Sequence, residues 1–258
     1  MSATLRRLTI LAAVLLLTLL LIPALHAAAP GAPSGSPESV LLAAANRDRA
    51  ANGLPPLQWD NALAAAARKH VLRMVQANTL SHQFPGEPAL QDRAMQLGAR
   101  FSMIAENVAE GPTVMGLHTQ WMNSPPHRAN LLDPQLNAVG MAVMQSGNIL
   151  FAVQDFSAAV PQLSLEEQET QVATQIVANG LREVSISPDA RKTCELGRGW
   201  SVQKPASVAR FEAADLTRLP GEIEHTIQSG KYHSAAVGAC NADVTSGFAR
   251  FRVAILLY

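Results

Sequence analysis

Residues 138–156, AVGMAVMQSGNILFAVQDF, decide the fold class. Two apolar runs, AVGMAVM and ILFAVQDF, flank Ser-Gly-Asn, a composition that turns a chain back on itself, so the stretch predicts a β-hairpin. What precedes it is helical. Ser36 can cap a helix with Pro37 in its first position, running through VLLAAANRDRAAN to Gly53. Asp60 can cap a second, in which Leu63, Ala67, Val71 and Met74 recur at three- and four-residue spacing and make one apolar face. ALQDRAMQL, stopped by Gly98, predicts a third helix, and Thr113 to Asn123 a fourth. IAENVAEG (104–111) is short enough for a strand or an extended loop. Helices followed by antiparallel strands argue for α+β layering rather than Rossmann-type alternation.

After Phe156 a second unit begins. Ser164 and Glu167 form a capping-box signal for LEEQETQVATQIVAN, and Gly180 ends that helix. LREVSIS, VARFEA and FARFRVAILLY predict strands; in the last, Phe251, Val253, Ile255 and Leu257 alternate onto one face. A helix over about Asp215 to Gln228 lies among them. Residues 160–258 are therefore expected to form a small α/β domain holding the only two cysteines, Cys194 and Cys240.

At the other end, Arg6 and Arg7 precede an apolar run from Leu8 to Ile22, broken by Pro23 and followed by ALHAAAP. Residues 1–29 read as a secretory signal peptide with cleavage after Ala27, Ala28 or Ala29, and residues 30–37, PGAPSGSP, as a linker. The alternative is an uncleaved membrane anchor, which the run suits less well because a bilayer span takes about 20 apolar residues. Export implies an oxidising compartment, in which Cys194 and Cys240 are expected to form a disulfide, the alternatives being two free buried thiols or a redox pair. The expected location is secreted, periplasmic or extracellular, with contact to a membrane only through an uncleaved signal anchor.

Twenty basic residues balance twenty acidic ones, and no Lys/Arg run supplies a local field, so nucleic acid is not an expected partner. The sequence lacks His-Glu-x-x-His, Walker, Gly-x-Gly-x-x-Gly and Gly-x-Ser-x-Gly motifs, which removes the usual signals for zincin proteases, nucleotide binding and α/β-hydrolases. Any site must be assembled across the chain. His82 in LSHQFPG, Glu106 in AENVAEG and His127 in WMNSPPHRANLL each sit at the expected edge of an element, where functional groups concentrate. Two neutral imidazoles can bind a cation such as Zn²⁺; a carboxylate beside them can be a third ligand, orient an imidazole, or act as a base on metal-bound water. Trp121 is expected to anchor a core, Arg128 and Asn130 to tie down the turn, and His70 and His118 to serve packing. His225 and His233 have no evident partner.

The ordered motifs NRDRAANGLPPLQWDNALAAAARKH, LSHQFPG, AENVA, WMNSPPHRANLLDPQLNAVGMAV and VQDF together resemble bacterial members of the CAP superfamily, the cysteine-rich secretory, antigen 5 and pathogenesis-related (SCP-domain) proteins. The resemblance implies an α-β-α sandwich over residues 38–158, followed by the carboxy-terminal α/β domain. It also implies a cleft lined by His82, His127 and Glu106, with Trp121 and Ser124 at its wall. Many eukaryotic members carry a second glutamate before the second histidine, where this chain has Ser124; Glu110 is the one nearby substitute. That departure favours a binding module for a divalent metal, an apolar molecule or a cell-envelope ligand. The alternatives are a zinc-assisted peptide or ester hydrolase, in which Glu106 would be the base, and an extracellular interaction protein.

Overall fold

The computed structural model describes residues 31–201, 204–242 and 248–258. The signal-peptide reading of residues 1–29 lies outside them. No helix among the described residues is long and apolar enough to cross a membrane.

Helix α1 (Pro37–Ala51) starts where Ser36 accepts a hydrogen bond from the Ser39 amide, and α2 (Asn61–Ala77) where Asp60 accepts from the Ala62 and Leu63 amides. These bonds satisfy amides that a helix leaves unpaired in its first turn. Between the two helices, β1 (Gln58–Trp59) pairs in parallel with β3 (Ala138–Ser146). Helix α3 (Leu90–Gln96) leads into β2 (Phe101–Gly111), which is a strand along its whole length, and Thr113 caps α4 (Val114–Asn123). The hairpin expected at 138–156 is present as β3 and β4 (Ile149–Ala159), and the sheet order is β1-β3-β4-β2. The fold is α+β.

WMNSPPHRANLL corrects the expectation that His127 sits at the edge of an element. Pro125 and Pro126 occupy the first two positions of α5 (Pro125–Leu131), so His127 stands inside a short helix. Proline ends the preceding helix but is tolerated in a first turn, where its missing N–H would have had no partner.

Alternation along the strands sorts the side chains into two layers. Val108, Ala142, Phe151 and Val153 pack with Ala67, Val71 and Met74 of α2. Ala109, Val139, Met141, Ala152 and Phe156 pack on the opposite face with Leu41 of α1, Leu117 and Trp121 of α4 and Leu131 of α5. This is an α-β-α sandwich whose edge strand β2 is flanked by α2 and α3 on one side and α4 and α5 on the other.

The second domain repeats the arrangement with a sheet of order β5-β7-β8-β6, where β5 is Glu183–Ile186, β6 Ser207–Ala213, β7 Ser234–Cys240 and β8 Phe251–Leu257. Helix α6 (Leu165–Ala178) begins with the expected capping box, and its Val172 and Ile176 pack on Phe251, Val253, Ile255 and Leu257, the predicted face of β8. Helix α7 (Pro188–Glu195) covers the other face through Ala190, against Ala236 and Leu256, and the Cys194–Cys240 disulfide ties it to β7. The helix expected over 215–228 is shorter, α8 (Gly221–Gln228): Asp215 accepts from the Thr217 amide in a turn, and Pro220 sits just before the first helical residue. The domains meet where Phe248 stacks edge-on against Phe101 at 5.9 Å and the Ala249 amide donates to the Phe101 carbonyl at 2.8 Å.

Candidate functional site

Glu106 and Asn107 are neighbours in β2 and therefore face opposite layers. Each holds one histidine. Glu106 Oε1 accepts from His82 Nδ1 at 2.9 Å, which orients a ring carried on the connection between α2 and α3. Asn107, fully buried, donates through Nδ2 to the His127 carbonyl at 3.1 Å and accepts at Oδ1 from Asn130 Nδ2 at 2.9 Å, which fixes α5. The imidazoles of His82 and His127 meet beside the edge strand with ring centroids 6.5 Å apart. Asn130 also donates to the Glu106 carbonyl and so ties α5 to β2 rather than holding a turn; the Arg128 side chain makes no hydrogen bond or ion pair among the described residues.

The three candidates thus come together, but Glu106 is not free. Its Oε2 accepts from Arg93 Nη2, and its side chain is only 4% exposed, against 58% for His82. Around it lies a buried charged cluster that no local motif marks. His70, with no exposed surface, places Nδ1 2.8 Å from Glu87 Oε1 and Nε2 2.8 Å from the Ser81 carbonyl. A carbonyl can only accept, so Nε2–H donates to it, and a proton is shared between Nδ1 and Glu87. His70 is therefore structural, and it fixes the loop that presents His82. Asp155 is directly opposite Glu106 in the β2–β4 pairing and fully buried. Neither of its carboxyl oxygens has a hydrogen-bond partner among the described residues. Burial, then the neighbouring Glu106 charge, push its carboxyl well above the usual range. Arg93, Glu87 and Asp155 have no local signal; only the folded chain brings them together.

The other expected members of the cleft stand elsewhere. Trp121 has no exposed surface and donates Nε1–H to the Val108 carbonyl at 3.1 Å, so it supports the site from beneath and lines nothing. Ser124 ends α4 and precedes α5, its side chain making no capping bond. Glu110 is exposed and four residues along β2 from Glu106, on the order of 13 Å away; it does not replace a second acid. His118 packs between α4 and α1 with Nε2 2.6 Å from Asp48 Oδ2.

Among the described residues no group of three or more His, Cys, Asp or Glu side chains is arranged to hold a metal ion. With Glu106 committed to Arg93 and His82, the donors left are two imidazoles. They fit a cation held weakly and completed by solvent, and they do not make a closed site, which takes four ligands. Glu106 then acts behind His82, fixing the tautomer that leaves Nε2 outward.

The two rings differ electrostatically. The hydrogen bond that His82 donates to Glu106 holds the His82 pKa above its ordinary value, whereas burial, and then the His82 charge, lower that of His127. Followed by NMR, His82 is expected to lose its proton at higher pH than His127; the reverse order would rule out Glu106 as the dominant influence. The sign for stability follows. A raised folded-state pKa means that the His82–Glu106 interaction stabilises fully below the unfolded imidazole value of about 6.5 and is lost as pH rises through the folded value.

Residues 42–156 match the model of the cysteine-rich secretory protein family and are a CAP domain. The protein YkwD of Bacillus subtilis is 33% identical over 113 residues, 43% of this chain and 44% of that protein. The membrane protein YlbC of the same organism is 31% identical over 110 residues, 41% of this chain and 31% of that protein. The chain thus spans less than half the length of either relative. Among solved structures, an extracellular protein containing a SCP domain from Bacillus anthracis is 30% identical, with a TM-score of 0.43, over 47% of this chain and 40% of that one.

Proposed function

We propose that the CAP domain is an extracellular binding module whose polar contact is the His82–His127 pair. The observation that carries this reading is the double engagement of Glu106, which gives one oxygen to Arg93 and the other to His82 Nδ1. A carboxylate with both oxygens engaged and almost no surface open to solvent is poorly placed to take a proton from a bound water. The residue whose basicity a hydrolase would need is instead spent on orienting a histidine.

Nε2 of His82 donates when the ring is protonated and offers a lone pair when it is neutral, so the pair can hold an anionic oxygen at lower pH and a divalent cation at higher pH. Zinc, when bound, would be held by His82 and His127 and would supply an electrophilic anchor for a ligand oxygen. An apolar or cell-envelope molecule, the ligand class that the family resemblance implies, would use this same contact for its polar group. The Cys194–Cys240 disulfide supports an oxidising compartment, in keeping with export.

Two assays test the reading on the full chain. Uptake of a labelled fatty acid or sterol, or recovery of a bound molecule by organic extraction, is expected, and so is a zinc affinity that falls at least about tenfold in His127→Ala. Peptide and ester substrates are expected to stay at the buffer rate with zinc added. Turnover above that rate that is lost in Glu106→Gln would overturn the proposal in favour of hydrolysis.

A further inference from the structure

A second site lies between the domains. A pocket of about 460 Å³ opens where the start of β2, the first turn of α6 and the facing ends of β7 and β8 converge. This volume is within the usual range for small-molecule sites. Arg100 and Arg250 line it, one from each domain, and neither side chain has an ion pair or hydrogen bond among the described residues. Leu163, Phe248 and Phe251 supply an apolar wall.

Gln168 gives the pocket its direction. The residue is 7% exposed, and its Nε2 donates to the Leu163 carbonyl at 3.0 Å. Because a carbonyl accepts only, that bond fixes which way the amide faces and leaves Oε1 as the other end. Oε1 is buried and has no hydrogen-bond partner among the described residues, and Gln168 is one of the residues that line the pocket. A buried acceptor without a donor is destabilising, and a bound donor would remove that cost.

We propose that this pocket binds the carboxyl end of a short peptide. The requirements converge on that chemistry: a carboxylate for two unpaired guanidiniums, a backbone N–H for Gln168 Oε1, and an apolar side chain for the wall. Inorganic phosphate would satisfy the guanidiniums but offers nothing to the wall. The backbone bonds Val160 N–H to the Arg100 carbonyl, 2.9 Å, and Ala249 N–H to the Phe101 carbonyl hold the two sides of the pocket together. The site is therefore preformed, and it lies apart from the histidine pair.

Calorimetric titration of the full chain with acetyl-Ala-Leu bearing a free carboxylate tests it, beside the same peptide as its amide and inorganic phosphate. Saturable binding of the free acid is expected, at least about tenfold tighter than of the amide or of phosphate. Arg100→Gln and Arg250→Gln, both at exposed positions, are each expected to weaken it about tenfold, and Gln168→Leu to narrow the gap between peptide and phosphate. No saturation by about 10 mM peptide, equal binding of acid and amide, or affinity unchanged in both arginine variants would overturn the proposal.

Discussion

Arg93→Met is expected to lower the stability of the CAP domain by about 3–5 kcal/mol, the range seen when one member of a buried ion pair is removed. Arg93 is 3% exposed and is the cation against which Glu106 is neutralised, with Glu87 Oε2 a further 3.9 Å from its Nη1. Methionine keeps most of the side-chain length and no charge, so the loss reads the electrostatic role rather than packing. Glu106, Glu87 and Asp155 would be left together in a dry layer. The loss should grow with pH. Asp155 already has a raised folded-state pKa, so the folded chain holds a proton that the unfolded chain gives up above about pH 4, and stability falls as pH rises toward the folded value. Removing Arg93, which opposes that rise, steepens the fall. Urea unfolding at pH 5 and pH 8 checks both parts, with the exposed Arg128→Met as control, expected within about 0.5 kcal/mol of the parent. A loss under about 1 kcal/mol would mean that the cluster is carried by shared protons and not by the guanidinium.

The contrast between what the chain announces and what it conceals runs along these same residues. Ser36, Asp60, Thr113 and Ser164 announce helices because each cap bond is made within three residues of itself. Ser187-Pro188 carries the same signal as Ser36-Pro37 and begins α7, which a consistent use of that rule would have found. Strand β7, SAAVGAC, has almost no β-branched or aromatic residues. It lies inside the sheet between β5 and β8, with helices on both faces, so small residues are what the space admits. His82, Glu106 and His127 could be singled out by motif, but their geometry could not. Which layer each faces depends on the register Glu106↔Asp155 and Asn107↔Gln154, set by long-range pairing. Arg93, Glu87 and Asp155 look like ordinary surface charges in sequence, and Gln168 like an ordinary helix residue. Their meaning is the partner they have, or lack, after folding.

Gly140→Ala is expected to cost about 3 kcal/mol or more, at or beyond the top of the usual overpacking range. In β3, Gly140 faces the start of α2, and an added Cβ would fall inside the contact distance of the Leu63 and Ala64 backbone; even Ala64 Cα would be 2.6 Å away. Backbone cannot swing aside as a side-chain end can, so α2 must lift from the sheet. That loosens Ala67, Val71 and Met74 from Val153 and Phe151, and with them His70 and the loop that carries His82. Gly238 in β7 stands in the same relation to α7, with Arg191 Cα 2.6 Å from its added Cβ. The pair therefore separates the domains experimentally. Gly140→Ala should lower the first domain's unfolding midpoint and shift the His82 resonance, whereas Gly238→Ala should lower that of the second domain and leave His82 in place. Gly221→Ala meets nothing within 4 Å and serves as the reference, with a gain of about 0.4–1 kcal/mol from the stiffer unfolded chain. If Gly140→Ala matched that reference, the close approach of α2 to β3 would not be what positions the histidine pair, and the buried cluster around Glu106 would have to hold it unaided.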